Sequence, residues 1–254
     1  MFKKPLITHM YTADPSVHVF NDRLYLYPSH DLDLEVAEND NGDQYQMTDY
    51  HVFSMDDPEG TVTDHGEALH IKDVIWASKQ MWAPDAAYKN GKYYFYFPAR
   101  DKEGIFRIGV AVSTKPEGPF APEKDPIKGS FSIDPCVFTD DDGSSWMVFG
   151  GLWGGQLQNW ASGQFIPGAN TPAGDSKALS PKLAPLSSDM LSFSEKPADM
   201  VILDENGSPL RAGDNERRYF EGPCLHKYNN LYYLSYSTGD THFLVYATSE
   251  NIRG

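Results

Sequence analysis

Short apolar segments alternate with polar residues along most of the chain, and many are followed by a turn signal such as Asn90-Gly91 or Asp142-Gly143. Alternation with a period of two is typical of half-buried β-strands, and Asx-Gly pairs between two such segments are typical of hairpins. No run with helical periodicity of useful length is visible. The pattern therefore predicts an all-β protein built from antiparallel hairpins.

One hairpin pattern occurs four times: an acidic residue beside a proline, an apolar strand, a polar turn and an aromatic strand. The copies read ADPSVHVFNDRLYLY from Ala13, APDAAYKNGKYYFYF from Ala83, IDPCVFTDDDGSSWMVF from Ile133 and EGPCLHKYNNLYYLSY from Glu221. In each copy the turn begins six residues after the proline, at Asn21, Asn90, Asp141 and Asn229. Repetition of one small all-β unit predicts a β-propeller or a related array.

Further strands follow the hairpins and predict four strands per unit; they begin at Tyr50, Arg107 and His242. The predicted blades cover residues 12–75, 80–128, 131–204 and 218 onward. The stretch from Gly150 to Pro185, rich in Gly, Ser and Pro, is predicted to be an inserted loop. Because the last blade ends before a fourth strand, we expect about three and a half blades in a single domain, residues 1–254, that lacks its final blade.

Composition narrows the functional classes. The net charge of −15 and the isoelectric point near 4.8 argue against binding to nucleic acid or to anionic membranes. Cys136 and Cys224 are too few for a disulfide framework, and we expect both to be buried free thiols. The start of the chain lacks the apolar run of a signal peptide, so a cytoplasmic location is expected if Met1 is the natural start. The sequence does not indicate an oligomeric state.

Three acids occupy similar positions in three of the repeats. Asp14 and Asp134 stand immediately before a proline, and Glu221 stands one residue further away. Stacked units would bring these acids to one mouth, where like charges repel unless function requires them. The alternative is that each acid only binds backbone N–H groups at its blade entrance. Asp85 follows its proline instead, and we expect it to be structural.

Grouped carboxylates suit the hydrolysis of glycosidic bonds. That reaction typically uses one protonated and one ionised carboxyl group on opposite sides of the bond. Inverting enzymes hold the two groups roughly 6.5–9.5 Å apart and retaining enzymes about 5–5.5 Å apart. Carboxylates delivered by different blades across a funnel suit the wider separation.

In these motifs the chain resembles glycoside hydrolase family 43. The resemblance covers nearly the whole sequence, and it is carried by Ala13-Asp14-Pro15, Met81-Trp82-Ala83-Pro84-Asp85, Ile133-Asp134-Pro135 and Phe220-Glu221-Gly222-Pro223 in this order. It implies a five-bladed β-propeller that hydrolyses pentose glycosides with inversion. The implied activity is that of an exo-acting β-xylosidase or α-L-arabinofuranosidase on substrates from xylan or arabinan.

The resemblance also implies roles for the three acids. Asp14 would be the general base that activates water, Glu221 the general acid, and Asp134 the carboxylate that holds the acid and raises its pKa. No cofactor would be required. Many family members hold a metal ion near an axial histidine, but that region has no counterpart here, so no metal ligand can be assigned; the eight histidines show no zinc-type spacing.

Aromatic and histidine residues near the motifs are further candidates. Trp82 is either a platform for a sugar ring or a side chain that packs between blades. Trp153 in the insertion and Phe220 beside Glu221 are also candidate substrate-binding residues. His18 and His226 are expected to be structural, whereas His30-Asp31 at the end of a hairpin could reach the mouth.

Two other functional classes stay open. The first is a carbohydrate-binding propeller without turnover, although binding alone would not require three acids. The second is a related five-bladed fructosidase or glycoside phosphorylase. A phosphorylase would call for basic residues to hold phosphate, and no basic cluster lies beside the repeat motifs.

Overall fold

The computed structural model describes residues 5–239 and 243–254, so the predicted strand start at His242 lies outside the described residues. The described residues form β-strands and three short 3-10 helices, which confirms the prediction of an all-β protein. The chain divides into two compact units, Met1–Pro126 and Ile127–Gly254. None of the described helices has the length and apolar character needed to cross a membrane.

The first unit contains two antiparallel sheets. Strands β1 (Tyr11–Phe20), β2 (Arg23–Asp31), β3 (Asp49–Met55) and β4 (Thr63–His70) pair in that order. The second sheet contains β5 (Ala77–Lys79), β6 (Asp85–Lys89), β7 (Lys92–Asp101), β8 (Phe106–Ser113) and β9 (Ala121–Pro122). Four strands were expected there, but β5 and β6 pair with different parts of the long strand β7, so this sheet has five.

Aromatic side chains fill the core of the first unit. Tyr27, Tyr50, Phe95 and Phe97 are fully buried, and the rings of Tyr50 and Phe95 meet edge to face at 4.9 Å. Each buried aromatic side chain removes about 150–250 Å² from water. At roughly 25 cal/mol per Å² this burial stabilises the unit by several kcal/mol per ring before entropy is counted.

The second unit also contains two sheets. Strands β10 (Cys136–Thr139), β11 (Ser145–Phe149), β12 (Lys182–Pro185) and β13 (Ala198–Asp199) form the first, and β14 (Glu221–Tyr228), β15 (Leu231–Thr238) and β16 (Phe243–Ser249) form the second. The predicted insertion is therefore wrong at its end, because β12 pairs with β11 and completes the sheet. The rest of the insertion contains two 3-10 helices, Trp153–Gly155 and Leu157–Trp160.

Four sheets thus follow one another along the chain, close to the predicted blade boundaries, in an all-β, propeller-like fold. The hairpin turns also lie where predicted. Residues Asn21-Asp22, Asn90-Gly91 and Asn229-Asn230 all have positive φ values between 49° and 77°, as the tight turns that match the twist of a hairpin require. The polar pairs at these positions therefore set the strand register.

The prediction of two buried thiols is wrong. Cys136 is only partly buried and Cys224 is exposed. Cys224 lies between the buried residues Pro223 and Leu225 on β14. Because side chains alternate between the two faces of a strand, this position faces solvent.

Candidate active site

The residue before the repeat proline has an unusual backbone conformation in three of the four copies. Asp14 has φ +47°, Asp134 has φ +56° and Gly222 has φ +61°. A residue before proline normally adopts an extended conformation, and the left-handed region costs a non-glycine residue roughly 1–2 kcal/mol. Such strain is typically retained at functional sites. Two of the three predicted catalytic acids therefore occupy strained positions.

The strand register shifts at these points. It slips between Ala13 and Ser16 on β1 and between Glu221 and Cys224 on β14. An extra residue in one strand bends that strand and redirects its side chains. In the first copy the acid lies within the bulged segment itself. In the third copy Asp134 has the same backbone conformation but precedes Cys136, the first paired residue of its strand. In the fourth copy Gly222 lies within the bulged segment, and Glu221 comes one residue earlier.

The second copy lacks this bulge. Its acid, Asp85, follows Pro84, is buried, and lies with its carboxylate 2.6 Å from Nε2 of His18. This contact joins the buried Asp85 to the partly buried His18 and supports the structural role expected for both side chains.

Asp14 has a second carboxylate near it in the first unit. Asp14 is open to solvent, but the protein packed around its carboxylate desolvates the charge and raises its pKa. The pKa of Asp31 is raised, mainly by burial and also by the charge of Asp14; His30 opposes this shift. One oxygen of Asp31, Oδ1, is buried without a hydrogen-bond partner in the described residues.

The pairing of β1 with β2 explains this proximity, since Tyr11 lies opposite Asp31 and Ala13 lies opposite Ser29. The sequence singled out Asp31 only through the dipeptide His30-Asp31. The signal that could have identified it is its place at the end of the hairpin partner of the Asp14 strand. Carboxylates with perturbed pKa values in one place are typical of acid–base sites.

Asp134 and Glu221 are connected in the second unit. Oδ2 of Asp134 accepts a hydrogen bond of 2.9 Å from the backbone N–H of Gly222, the residue after Glu221. The buried Tyr219 lies beside both acids. Its pKa is raised well above the ordinary value, mainly by burial and also by the charges of Asp134 and Glu221. Both acids therefore lie close to one phenol, whose hydroxyl donates to the carbonyl of Gly150.

The start of the insertion packs against the same place. A Cβ atom on Gly151 would lie 3.1 Å from Cβ of Glu221 and 2.7 Å from the side chain of Ile133, so no larger residue fits without movement. The hydroxyl of Ser132 accepts from the N–H of Gly151 at 2.9 Å and donates to the carbonyl of Gly155 at 2.6 Å. The sequence analysis did not identify Ser132 or Gly151. The available signal was the two glycine pairs that flank Trp153, Gly150-Gly151 and Gly154-Gly155.

Two of the three candidate substrate-binding aromatics come together. The ring of Trp153 meets the ring of Phe220 edge to face at 5.0 Å. Phe220 is buried, whereas Trp153 is 38% exposed and has φ +51°. Trp153 therefore offers an open indole surface close to Glu221.

Trp82 lies in the first unit in a well-packed environment. Its ring is 4.6 Å from that of Phe106, its indole N–H donates to the carbonyl of Tyr45 at 2.8 Å, and a Cβ on Gly42 would clash with it. These contacts support the packing alternative for Trp82. They do not test whether Trp82 also binds a sugar ring, so that role stays a prediction.

The first unit contains a histidine cluster that the sequence, with no zinc-type spacing among its histidines, did not indicate. The side chains of His30, Asp49 and His51 place one nitrogen or oxygen atom each within 4.8 Å of one another. The available signal was the spacing of Asp49 and His51, two residues apart on β3. The register of β3 with β4 shifts between Tyr50 and His51, which periodicity does not predict.

Comparison with known proteins decides the family. Residues 2–254 match the model of glycosyl hydrolases family 43. The chain belongs to this family. The resemblance identified from the acid–proline motifs is thereby confirmed, and the chain is a glycosidase.

Relatives in family 43 share most of the chain. A xylosidase/arabinosidase of Humicola insolens is 62% identical over 250 residues, which are 95% of this chain and 76% of that protein. A xylosidase/arabinosidase of Bacteroides ovatus is 55% identical over 99% of this chain and 78% of that protein. A β-xylosidase/α-arabinofuranosidase from a compost metagenome, solved in complex with xylotriose in a calcium-free form, matches with a TM-score of 0.95 and 58% identity over 99% of this chain and 77% of that one.

The chemistry of family 43 glycosidases needs no cofactor, because two carboxyl groups and a water molecule can carry out the hydrolysis. The calcium-free form of the compost enzyme raises the question of a calcium ion. Calcium prefers six to eight oxygen ligands. The cluster of His30, Asp49 and His51 supplies mainly nitrogen, so its donor set does not fit calcium.

Proposed function

We propose that this family 43 protein is an exo-acting β-xylosidase or α-L-arabinofuranosidase that acts on pentose glycosides from xylan or arabinan. Support comes from the names of its close relatives, which are xylosidase/arabinosidases and a β-xylosidase. Further support comes from a Xanthomonas citri enzyme, 52% identical with a TM-score of 0.92, whose structure was determined with xylose. A pentose glycoside is thus the substrate class most compatible with the chain.

In the proposed mechanism, Asp14 removes a proton from a water molecule while Glu221 donates a proton to the departing glycosidic oxygen. The water oxygen forms a bond to the anomeric carbon as the glycosidic bond breaks, so the configuration inverts. Afterwards Asp14 carries the proton and Glu221 is ionised, and exchange with solvent restores both. Asp134 positions Glu221 and, as a nearby like charge, disfavours its ionisation.

The observation that carries this proposal is the hydrogen bond from the N–H of Gly222 to Asp134. It attaches the carboxylate of Asp134 directly to the backbone beside Glu221, at the bulge of β14. A purely structural acid at a blade entrance would not need a second acid bound to its neighbouring amide.

Two finer statements belong to the same proposal. Trp82, Trp153 and Phe220 contribute to sugar binding, with Trp153 as the most accessible of the three. The complete catalytic domain has five blades, as the family resemblance implies. The described residues contribute four sheets to it.

The test is proton NMR of the sugar released from aryl β-xyloside and from aryl α-L-arabinofuranoside, recorded from the first minute. We expect the anomer opposite to that of the substrate, and the faster substrate identifies the main activity. Retained configuration would reject the inverting mechanism and favour a fructosidase-like double displacement. Products that carry phosphate in phosphate buffer would indicate a phosphorylase, and binding without turnover would indicate a carbohydrate-binding protein.

A further inference from the structure

We propose that His30, Asp49 and His51 form a binding site for a divalent transition-metal ion such as Zn²⁺. Nδ1 of His30 lies 2.9 Å from Oδ2 of Asp49, and Nε2 of His51 lies 3.7 Å from the same oxygen. Metal–ligand distances of about 2.0–2.2 Å suit histidine and carboxylate ligands of zinc. Ligand atoms this close together therefore need only small side-chain adjustments to share one ion.

The strands supply a rigid frame for the three side chains. His30 lies near the end of β2, and Asp49 and His51 lie at alternate positions of the neighbouring β3. The two strands pair through Leu24–Leu26 and Phe53–Met55, and the three side chains lie beyond that ladder on the same strands. Positions on strands hold ligands more firmly than positions on loops. A bound ion would tie the end of β2 to the start of β3.

The surrounding contacts are those of a metal site. Histidine ligands usually donate their second ring N–H to a carboxylate, which fixes the orientation of the ring. The second ring nitrogen of His51, Nδ1, lies 3.1 Å from Oδ1 of Asp64 on β4. Asp64 is itself held by the N–H of Gly66 at 2.8 Å and by Nε2 of His9 at 2.8 Å.

The electrostatics also favour a cation. Asp49 is buried, and its ion-pair partners among the described residues are the two histidines, which carry no fixed positive charge. The hydroxyl of Thr48 donates a hydrogen bond to the other oxygen of Asp49, Oδ1, at 3.3 Å. Oδ2 is the oxygen that lies near both imidazole rings. A buried carboxylate beside two imidazole rings gains a full compensating charge from a divalent ion.

The donor set identifies the class of metal. Imidazole nitrogen with one carboxylate suits zinc, copper, iron or nickel, whereas calcium and magnesium prefer oxygen alone. Three protein ligands leave at least one coordination position for water. We therefore expect Zn²⁺ to bind much more tightly than Ca²⁺ at this site.

The experiment is a calorimetric titration of ZnCl₂ into the full chain, treated with chelator and freed of any affinity tag. We expect one equivalent to bind, and we expect His51→Gln and Asp49→Asn each to weaken binding at least 100-fold. The outer carboxylate variant Asp64→Asn should weaken it about 10- to 100-fold. The control His226→Gln removes an exposed histidine that stacks on Tyr233 in the second unit, and binding should not change.

A second readout does not depend on heat. Co²⁺ bound through imidazole develops visible absorption bands, which we expect in the wild-type chain, unchanged by excess Ca²⁺, and lost in His30→Gln. Near-UV circular dichroism identifies variants that do not fold. If a cluster variant does not fold, the test uses the milder variant Asp64→Asn instead. The site is refuted by absent Zn²⁺ binding, by equal binding in the cluster variants, or by loss of binding in His226→Gln.

Discussion

The hairpins that carry Asp14 and Glu221 are two versions of one repeat with the acid in different places. In the first, Asp14 occupies the left-handed position before the proline, at φ +47°. In the other, Gly222 has that conformation, at φ +61°, and the acid comes one residue earlier. Both strands shift register at this point. The bulge is common to both hairpins, while the residue that carries the carboxylate differs.

This difference gives the two acids different surroundings. Asp14 keeps a strained backbone and has Asp31 as a carboxylate neighbour, within the first unit. Glu221 leaves the strained position to a glycine, whose N–H is then available to bind Asp134. A base and an acid need opposite protonation states at one pH, so distinct environments are what this chemistry requires. The predictions below test this contrast.

The largest effect is expected for Asp14→Asn. If Asp14 is the base, the change should lower kcat about 10²–10⁴-fold on activated and unactivated glycosides alike, because both need an activated water. Steady-state kinetics on an aryl xyloside and on xylobiose measure it. The control is Asp22→Asn, which makes the same change at an exposed turn residue of the same hairpin with φ +60°. Full activity of Asp14→Asn, or equal loss in the control, would contradict the assignment.

Glu221→Gln should instead discriminate between leaving groups. Loss of the acid should lower kcat roughly 10²–10³-fold on xylobiose and far less on aryl glycosides with good leaving groups, which need little protonation. Kinetics on a series of aryl xylosides give the dependence on leaving-group pKa, which should become steeper in the variant. Equal loss across the series would remove Glu221 from the acid role and erase the contrast with Asp14.

Gly222→Ala tests the bulge of the second hairpin. A Cβ atom there meets nothing within 4 Å, so the expected cost is the left-handed backbone alone, about 1–2 kcal/mol. Gly143→Ala is the matched control, since Gly143 has φ +82° and equally open space in a turn of the same unit. Both should lose similar stability in urea unfolding. Only Gly222→Ala should also lower kcat, roughly tenfold, because it disturbs the amide that binds Asp134. Equal kcat values in the two variants would show that this hydrogen bond does not contribute to catalysis.

The repeat predicted the four sheets because proline, turn and strand signals are local and are read directly from the sequence. The strand β12 escaped prediction because the four residues Lys182–Pro185 become a strand only by pairing with β11. The candidate acids were likewise chosen from their place beside the prolines, and their catalytic roles stay a prediction. The contacts of Ser132, Asp31 and the histidine cluster depend on which strands and loops become neighbours, and periodicity carries no such information.

The smallest expected effect is a pH shift in Asp31→Asn. Since Asp31 lies near Asp14 and the two charges repel, removal of the Asp31 charge should lower the pKa of Asp14. The acidic limb of kcat/KM reports the base of the free enzyme and should move to lower pH by roughly half to one unit. A carboxyl whose pKa is raised in the folded state loses stability as pH rises through that pKa, so the variant should be at least as stable as the wild type at pH 7. Asp33→Asn, two residues along the chain and exposed, is the control and should leave the limb in place. An unmoved limb in Asp31→Asn, or one moved to higher pH, would show that the neighbouring carboxylate does not tune the base.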